Sequence, residues 1–349
     1  MKLIKIMSAV MLATTIGVTT TLTTPNVSAQ AKTTKAKKKT KKKKKSERKY
    51  YTATQWAQVT SYRKKAKKIG NSTKGMYAQK AKLKKHFRAG KLSAGYTAQT
   101  VNWINFYRDM FGLNAVTADS TWNKSAQMGA ATLAAADKGL SHGLVGLKRP
   151  SVVSKANWKL GAAATDQSNL SEGITSPYDV VTGYISDDGN QMGFNPGHRS
   201  WVLGAINKVG VGQVGKYNDL RVFDTANNQA TTTLKKLMFP RAGLMPYGLV
   251  KEGAPWAISY PDDHYVGSTG IKPKVSVHDN TAKKKVKISH VGTGDEAYGY
   301  YGTTIFFVPK KSQVKVNHSY TIKVSNVENQ VDISYKTRLF DLKVQGDFY

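Results

Sequence analysis

Apolar residues recur at steps of three and four along the first two thirds of this chain, and at steps of two along the last third. Trp56, Val59, Tyr62, Ala66 and Ile69 fall on one helical face, and Gly70 stops the run. Met76, Lys80, Leu83 and Phe87 repeat the step before Gly90 and predict a second helix, so residues 51–95 read as a basic helical segment. Thr97 is placed to cap a helix with Val101, Ile104, Tyr107 and Phe111 on its apolar face. Asp119 is placed to cap the next helix, which is alanine-rich and ends at Gly139. "SPYDVVTGYISDD" predicts a further helix and "GHRSWVLGAI" a short one. "KVGVGQVGKYNDLRVFD" predicts two strands around a turn at Lys216–Asp219. Past the Pro/Gly-rich junction "MFPRAGLMPYGLV", seven short alternating segments run from "PWAISYP" to "RLFDL". Alternation at that spacing predicts a β-sandwich over residues 236–349.

Charge separates the N-terminal part from the rest. The chain carries 54 Lys and Arg against 21 Asp and Glu, a net charge of +33, and 24 of the basic residues lie between residues 30 and 100 beside the single acidic Glu47. Residues 30–50, almost all lysine and small polar residues, cannot bury a core and are expected to be a disordered tail. Ahead of them, Lys2 and Lys5 precede the short apolar stretch "IMSAVMLATTIGV", and "VSA" ends at Ala29. That arrangement predicts a secretory signal peptide over residues 1–29 and a secreted protein, extracellular or associated with the cell wall. Behind such a leader the nearest polyanions are wall polymers and lipid headgroups, with no specific nucleic acid expected. Lysine offers them point charge with little directional recognition. The tail serves either adhesion to an anionic cell-wall polymer or membrane surface, or as a solvated spacer.

The chain has no cysteine, so disulfides and thiolate metal sites are excluded. Two of its seven histidines sit where a ring can be aimed: His142 in "LSHG", just past a helix end, and His198 in "GFNPGHRSW". Asn195-Pro196-Gly197 is a short rigid turn expected to point His198 toward His142, with Gly197 removing bulk beside the ring. His86, His264, His278, His290 and His318 lie outside these settings and read as solvated or structural. Gly210, Gly212 and Gly215 match a dinucleotide fingerprint, but a strand follows them where the fingerprint needs a helix, so they are assigned to strand packing and the hairpin. Ser141 and Ser200 neighbour the histidines in sequence only, which does not make a nucleophile.

"VNWINFYRDMFGL", "LSHG", "SEGI", "GYISDD", "GHRSWVLG" and "VGVGQV", in that order, resemble the CAP superfamily of cysteine-rich secretory, antigen 5 and pathogenesis-related 1 proteins, in its bacterial secreted branch. The resemblance covers roughly residues 97–230. It implies an α+β chain: a central α-β-α sandwich over residues 96–235, followed here by the C-terminal β-sandwich. It also implies a cleft with two histidines and two acidic residues. His142 and His198 resemble the family's histidines, and Glu172 resembles the glutamate of its Gly-Glu-Asn motif, with Ser171 and Gly173 in the flanking places. Asp187, three residues after Tyr184, stands where the family usually has glutamate, and Asp188 is its possible substitute. Two imidazoles with carboxylates suit a divalent metal, zinc first. Two functions follow from the same residues. One is a surface-associated binding protein, with a lipid or peptide as the cleft's ligand. The other is a metal-dependent hydrolase of a cell-wall or host substrate, with zinc-bound water as nucleophile and Glu172 as base.

Overall fold

Thr52 starts the first helix by a reciprocal cap: its hydroxyl accepts from Gln55 N–H, and the Gln55 side chain accepts from Thr52 N–H. The computed structural model describes residues 47–190, 193–225, 235–261, 272–294 and 298–345. The predicted leader and nearly all of the lysine-rich tail therefore lie outside the described residues. Helix α1, Ala53–Ile69, buries Val59 and Ala66 and keeps Lys64, Lys65, Lys67 and Lys68 exposed. Tyr62 on its inner face stacks on Phe340, 5.8 Å away, and meets Phe106 edge-on.

The second helix expected before Gly90 does not form. Strand β1, Tyr77–Gln79, pairs with β2, Lys91–Leu92, and Lys82 bridges Arg88 between them. Gly90 has φ of +75°, and a Cβ there would stand 2.6 Å from the Ala81 nitrogen, so the two arms of this loop touch backbone to backbone. Leu83 and Phe87 pack instead on Ala130, Ala131 and Val214. Tertiary packing has overridden the helical period.

Helix α2, Ala94–Met110, begins four residues earlier than expected because Ser93, not Thr97, accepts the capping hydrogen bond, from Tyr96 N–H. Its inner face buries Val101, Ile104 and Tyr107 as the pattern predicts. Asp119 caps α3, Ser120–Ala136, accepting from the N–H groups of Thr121 and Trp122. Asp137, in the left-handed conformation, ends it two residues before Gly139. Helices α4, Lys155–Thr165, α5, Pro177–Ser186, and α6, Gly197–Val202, follow.

Strands β3, Thr117–Ala118, β4, Ser168–Glu172, β5, Lys208–Val214, and β6, Tyr217–Arg221, form a sheet in the order β3-β5-β6-β4. The β5–β6 turn falls at Gly215 and Lys216, ahead of the expected place. Alternation sorts the two faces of β5. Val209 and Val211 join a core that includes α2 and α5, whereas Gly210 and Gly212 lie against α3. A Cβ on Gly212 would stand 2.2 Å from the Ala126 carbonyl carbon, so these glycines set the helix-to-sheet distance.

The C-terminal strands are β7, Leu237–Phe239, β8, Gly243–Pro246, β9, Trp256–Tyr260, β10, Lys274–Asp279, β11, Lys284–Val286, β12, Ile288–Gly294, β13, Thr303–Pro309, β14, Ser319–Ser325, and β15, Ile333–Phe340. They make two sheets, β11-β10-β14-β15-β8 and β12-β13-β9-β7, antiparallel except where β8 runs parallel to β15. The expected junction thus contributes two strands, and the last two expected segments are one strand. Trp256, Ile305, Ile322 and Leu339 belong to the same hydrophobic cluster as Trp103, Tyr107 and Val181, so one core runs through both parts.

Candidate functional site

Two backbone devices aim the two histidines. His142 opens a short 3-10 turn, His142–Leu144, in which Gly143 and Leu144 have φ of 64° and 54°. Its Nδ1 lies 2.8 Å from the carbonyl oxygen of Thr165, the last residue of α4. A carbonyl only accepts, so Nδ1 carries the proton and Nε2 is the lone-pair atom. His198 is the second residue of α6, and its Nδ1 lies 2.8 Å from Oδ1 of Asp187. The same reasoning leaves its Nε2 as the acceptor.

Asp187 can reach that ring because it ends α5 in the left-handed region, at φ of 56°, a conformation aspartate tolerates better than most residues. Its N–H donates to Gly183, and Oδ2 accepts from Arg199 N–H at 3.1 Å. Both carboxylate oxygens are engaged behind His198. Arg199 is fully buried. Its guanidinium donates to the carbonyls of Ile185 at 2.6 Å, Ser186 at 2.6 Å and Pro255 at 2.8 Å, and lies 3.5 Å above the Phe239 ring. Burial lowers its pKa to about 9, opposed by the charges of Asp187 and Asp188. One side chain therefore joins the end of α5, the start of α6 and the C-terminal strands.

Glu172 ends β4 on an exposed rim, with Oε1 2.8 Å from Lys216 Nζ. Lys216 also reaches Asp137 at 3.1 Å, and its hydrogen bonds to Glu172 and Asp137 hold its pKa above the usual lysine value. Asp188 faces the same space, and burial raises its carboxyl pKa. Beneath them the Tyr184 ring lies 5.5 Å from the His198 ring.

The structure brings all four sequence-predicted residues together. His142, Glu172, Asp187 and His198, with Asp188 and Tyr184, line one cleft of about 400 Å³. His142 shows this closeness electrostatically. Its pKa is lowered, chiefly by burial of the ring, and further by neighbouring His198, against the hydrogen bond to Thr165. Among the described residues no group of three or more His, Asp or Glu side chains is arranged to hold a metal ion. The expected carboxylate ligands are directed elsewhere, Asp187 to His198 and Glu172 to Lys216. Gly197 has a different neighbour from the one expected. A Cβ there would stand 3.3 Å from the ring of Tyr298, so the space it leaves is filled from the segment between β12 and β13. Sequence reasoning missed Thr165, which acts through its carbonyl and leaves no side-chain signal, and Arg199 and Lys216, which read as two basic residues among many.

Residues 101–226 match the family model described as CAP, the cysteine-rich secretory protein family. The chain carries a CAP domain. It holds α3, α4, α5, α6 and the whole central sheet, with all four cleft residues, while α2 begins ahead of it and the C-terminal sheets lie beyond. No curated protein and no solved structure matches the chain.

Proposed function

We propose that this is a secreted, surface-associated CAP-domain protein with a binding role, its ligand held in the cleft between His142 and His198. In this reading the central domain is an α-β-α sandwich, the C-terminal strands are a β-sandwich, and the lysine-rich N-terminus adheres to anionic wall polymer or membrane lipid. One feature of the cleft supports it. Each imidazole has Nδ1 tied to a buried acceptor, and among the described residues Nε2 makes no hydrogen bond, in a ring that lines the shared space. Paired acceptors of this kind suit a ligand donor or a divalent ion.

Zinc belongs to this reading through the two Nε2 atoms, with Asp187 orienting one ring and Glu172 joining only by releasing Lys216. Bound there, zinc would supply a Lewis acid. A hydrolytic centre needs three fixed protein ligands and an open position, and two positioned imidazoles favour binding over hydrolysis.

The test is calorimetric titration of the whole mature protein with zinc, and separately with lipid and peptide panels, beside His142→Gln and His198→Gln. Weaker binding in both variants is the expected result, and unchanged binding in both overturns the proposal. For the N-terminus, replacing the lysines of residues 37–45 by glutamine avoids disturbing α1, which packs into the core. Binding of the parent to isolated cell walls should fall steeply with salt, since the Debye length shrinks from about 10 Å at 0.1 M to about 3 Å at 1 M.

A further inference from the structure

The five-stranded C-terminal sheet has one face in the core and one turned outward, and strand register decides which side chains share the outward face. His278 on β10 lies opposite Lys285 on β11 and Thr321 on β14, and Thr321 lies opposite Lys336 on β15. One row across four strands therefore reads Lys285, His278, Thr321, Lys336. The rows beside it set Lys323 between Ser276 and Ser334, and Arg338 opposite Ser319. The alternate positions, Val277, Tyr320, Ile322 and Leu339 among them, are buried. We propose that this outward face is a binding surface for a linear polyol-phosphate chain, a phosphodiester polymer without bases. It is separate from the cleft, and it is a folded surface apart from the lysine-rich tail, so each of the three can fail alone.

Four observations carry it. First, the charge on the face has one sign. Every outward position in these rows is Lys, Arg, His, Ser or Thr. Lys285, Lys323 and Lys336 are exposed and, among the described residues, make no ion pair. The carboxylates at this end are already engaged. Asp279 is 4% exposed, belongs to the inward set, and accepts from His318 and from the N–H groups of Thr281 and Ala282. Glu47 pairs with Arg63 at 2.5 Å and Lys343 at 2.9 Å. Second, protection of a sheet edge does not account for these lysines. It suits Lys285, because β11 is an edge strand, but Lys323 stands on the central strand β14 and Lys336 on β15, between β14 and β8.

Third, the face ends in a hollow. Lys336 and Arg338, with Ser319 and Thr281, line a space of about 480 Å³ that Gln55 of α1 borders. The Arg338 guanidinium donates to the Asn317 carbonyl at 3.1 Å and lies 5.8 Å from the Tyr51 ring, so it is held in place by neutral groups. The Tyr51 hydroxyl also donates to the Leu339 carbonyl at 3.3 Å, which fixes the start of α1 beside β15. The lysines of residues 37–45 are joined to the fold just ahead of this point, so the chain's most basic stretch is attached where the basic face ends.

Fourth, the composition of the face selects among polyanions. No Phe, Tyr or Trp stands at an outward position in these rows, so there is no platform on which the bases of a nucleic acid would stack. No large apolar side chain stands there either, so nothing is offered to the interior of a bilayer. What remains is charge interleaved with hydroxyls, and serine and threonine donate to phosphate oxygens as lysine does. Strands lie about 4.8 Å apart, which sets Lys285 and Lys336 about 14 Å apart across the row, room for a chain that presents its charges at intervals.

The experiment uses the whole mature protein with the lysines of residues 37–45 replaced by glutamine, which removes the tail's own attraction. It is titrated with a synthetic glycerol-phosphate oligomer at several salt concentrations. Onto it are placed either Lys285→Gln, Lys323→Gln and Lys336→Gln together, or Lys148→Gln, Lys155→Gln and Lys159→Gln, which remove the same charge from exposed positions of the CAP domain. The sheet triple should weaken oligomer binding about tenfold at 0.1 M salt and lessen the slope of log affinity on log salt by about 2, at about 0.7 for each lost phosphate contact. The CAP-domain triple should leave both near the parent's values, and arginine at the three sheet positions should restore binding. Melting curves near the parent's show that the variants remain folded. Absence of oligomer binding by the tail-neutralised protein overturns the proposal. So does inorganic phosphate bound as tightly as the oligomer, or tighter binding to phosphatidylglycerol vesicles or to a single-stranded RNA homopolymer. If the two triples behave alike while the tail lysines still govern binding to cell walls, the adhesive tail stands and this surface falls.

Discussion

The protein contains the same histidine–aspartate pair twice, and only one copy lines the cleft. His198 Nδ1 lies 2.8 Å from Asp187, and His318 Nδ1 lies 2.7 Å from Asp279. In both, a quarter of the imidazole side chain is exposed and the carboxylate is almost wholly buried. In both, the carboxylate's other oxygen accepts backbone N–H groups: Arg199 for Asp187, Thr281 and Ala282 for Asp279. The surroundings differ. His198 faces a second imidazole and Asp188 across a cleft. His318 stands just before β14 with its ring 6.4 Å from Tyr320, and its aspartate organises the turn after β10. A tied imidazole is a positioned group, and what it is positioned against decides whether it becomes a site.

The largest expected effect comes from what anchors each pair. Arg199 is buried against three carbonyls and a ring, and Arg199→Leu leaves those carbonyls unpaired while freeing the end of α5 from Pro255. A loss of about 3–5 kcal/mol in denaturant unfolding is expected. Arg338, beside the second pair, is partly exposed and donates to the single carbonyl of Asn317, so Arg338→Leu should cost only about 1 kcal/mol. Equal losses would mean that both pairs are held alike.

The CAP domain also holds a buried carboxylate with no such device. Both oxygens of Asp219 lack a hydrogen-bond partner, and the carboxyl sits in the groove left by Gly129. Burial pushes its pKa up to about 8, against the pull of Ser168 and Arg221. Unfolded, the group titrates near about 3.9. Below that value both states hold the proton and the stabilisation is fully present. As pH rises toward about 8 the unfolded chain gives up its proton while the folded chain keeps it, and stability falls. Melting temperature should therefore drop between about pH 5 and about pH 8, and Asp219→Asn should flatten the slope. An unchanged slope in the variant would place the titrating group elsewhere.

Paired substitutions test the comparison itself. Asp187→Asn and Asp279→Asn both replace an acceptor of an imidazole N–H, and each should cost about 1 kcal/mol of stability. Only the first should act on the cleft. If zinc or another acceptor-seeking ligand binds the Nε2 pair, Asp187→Asn weakens it by about 10–100-fold, as loss of an orienting carboxylate does, and Asp279→Asn leaves it unchanged. Equal effects on binding would place the site outside the cleft.

The contrast also explains what was legible from residues alone. His142 and His198 could be read because each stands beside a glycine at a helix boundary, whereas Asp187 was reached only through the family resemblance, as the residue three after Tyr184. Its role behind His198 was hidden, since a left-handed φ at a helix end cannot be told from "SDDG". The His318–Asp279 pair was invisible because strand register brings together residues 39 apart, with Asp279 opposite Tyr320 in the β10–β14 ladder. Helices with a strong cap, such as the one after Asp119, fell in place. The segment before Gly90 did not, because Leu83 and Phe87 find an apolar surface on α3 that only the folded chain provides. β7 and β8 were obscured by Pro240 and Pro246, which mark a strand's end as readily as a loop.

The smallest effect concerns the coupling of the two rings. Burial lowers the pKa of His142, its hydrogen bond to Thr165 opposes this, and the neighbouring His198 adds a further lowering. Removing that neighbour while keeping a polar side chain, as His198→Gln does, should raise the His142 pKa, since the lowering from the second imidazole is lost and burial remains. The change of sign is worth testing because a collapse of the cleft would bury the ring further and move the pKa the other way. His318→Gln removes an equally tied imidazole far from His142 and should leave that titration in place. Imidazole proton and nitrogen shifts of His142, followed by NMR through the acid range in metal-free buffer, give the measurement. A His142 titration that ignores both substitutions would mean the rings do not share the cleft. A shift in His198→Gln alone would confine the coupling to the CAP domain's pair.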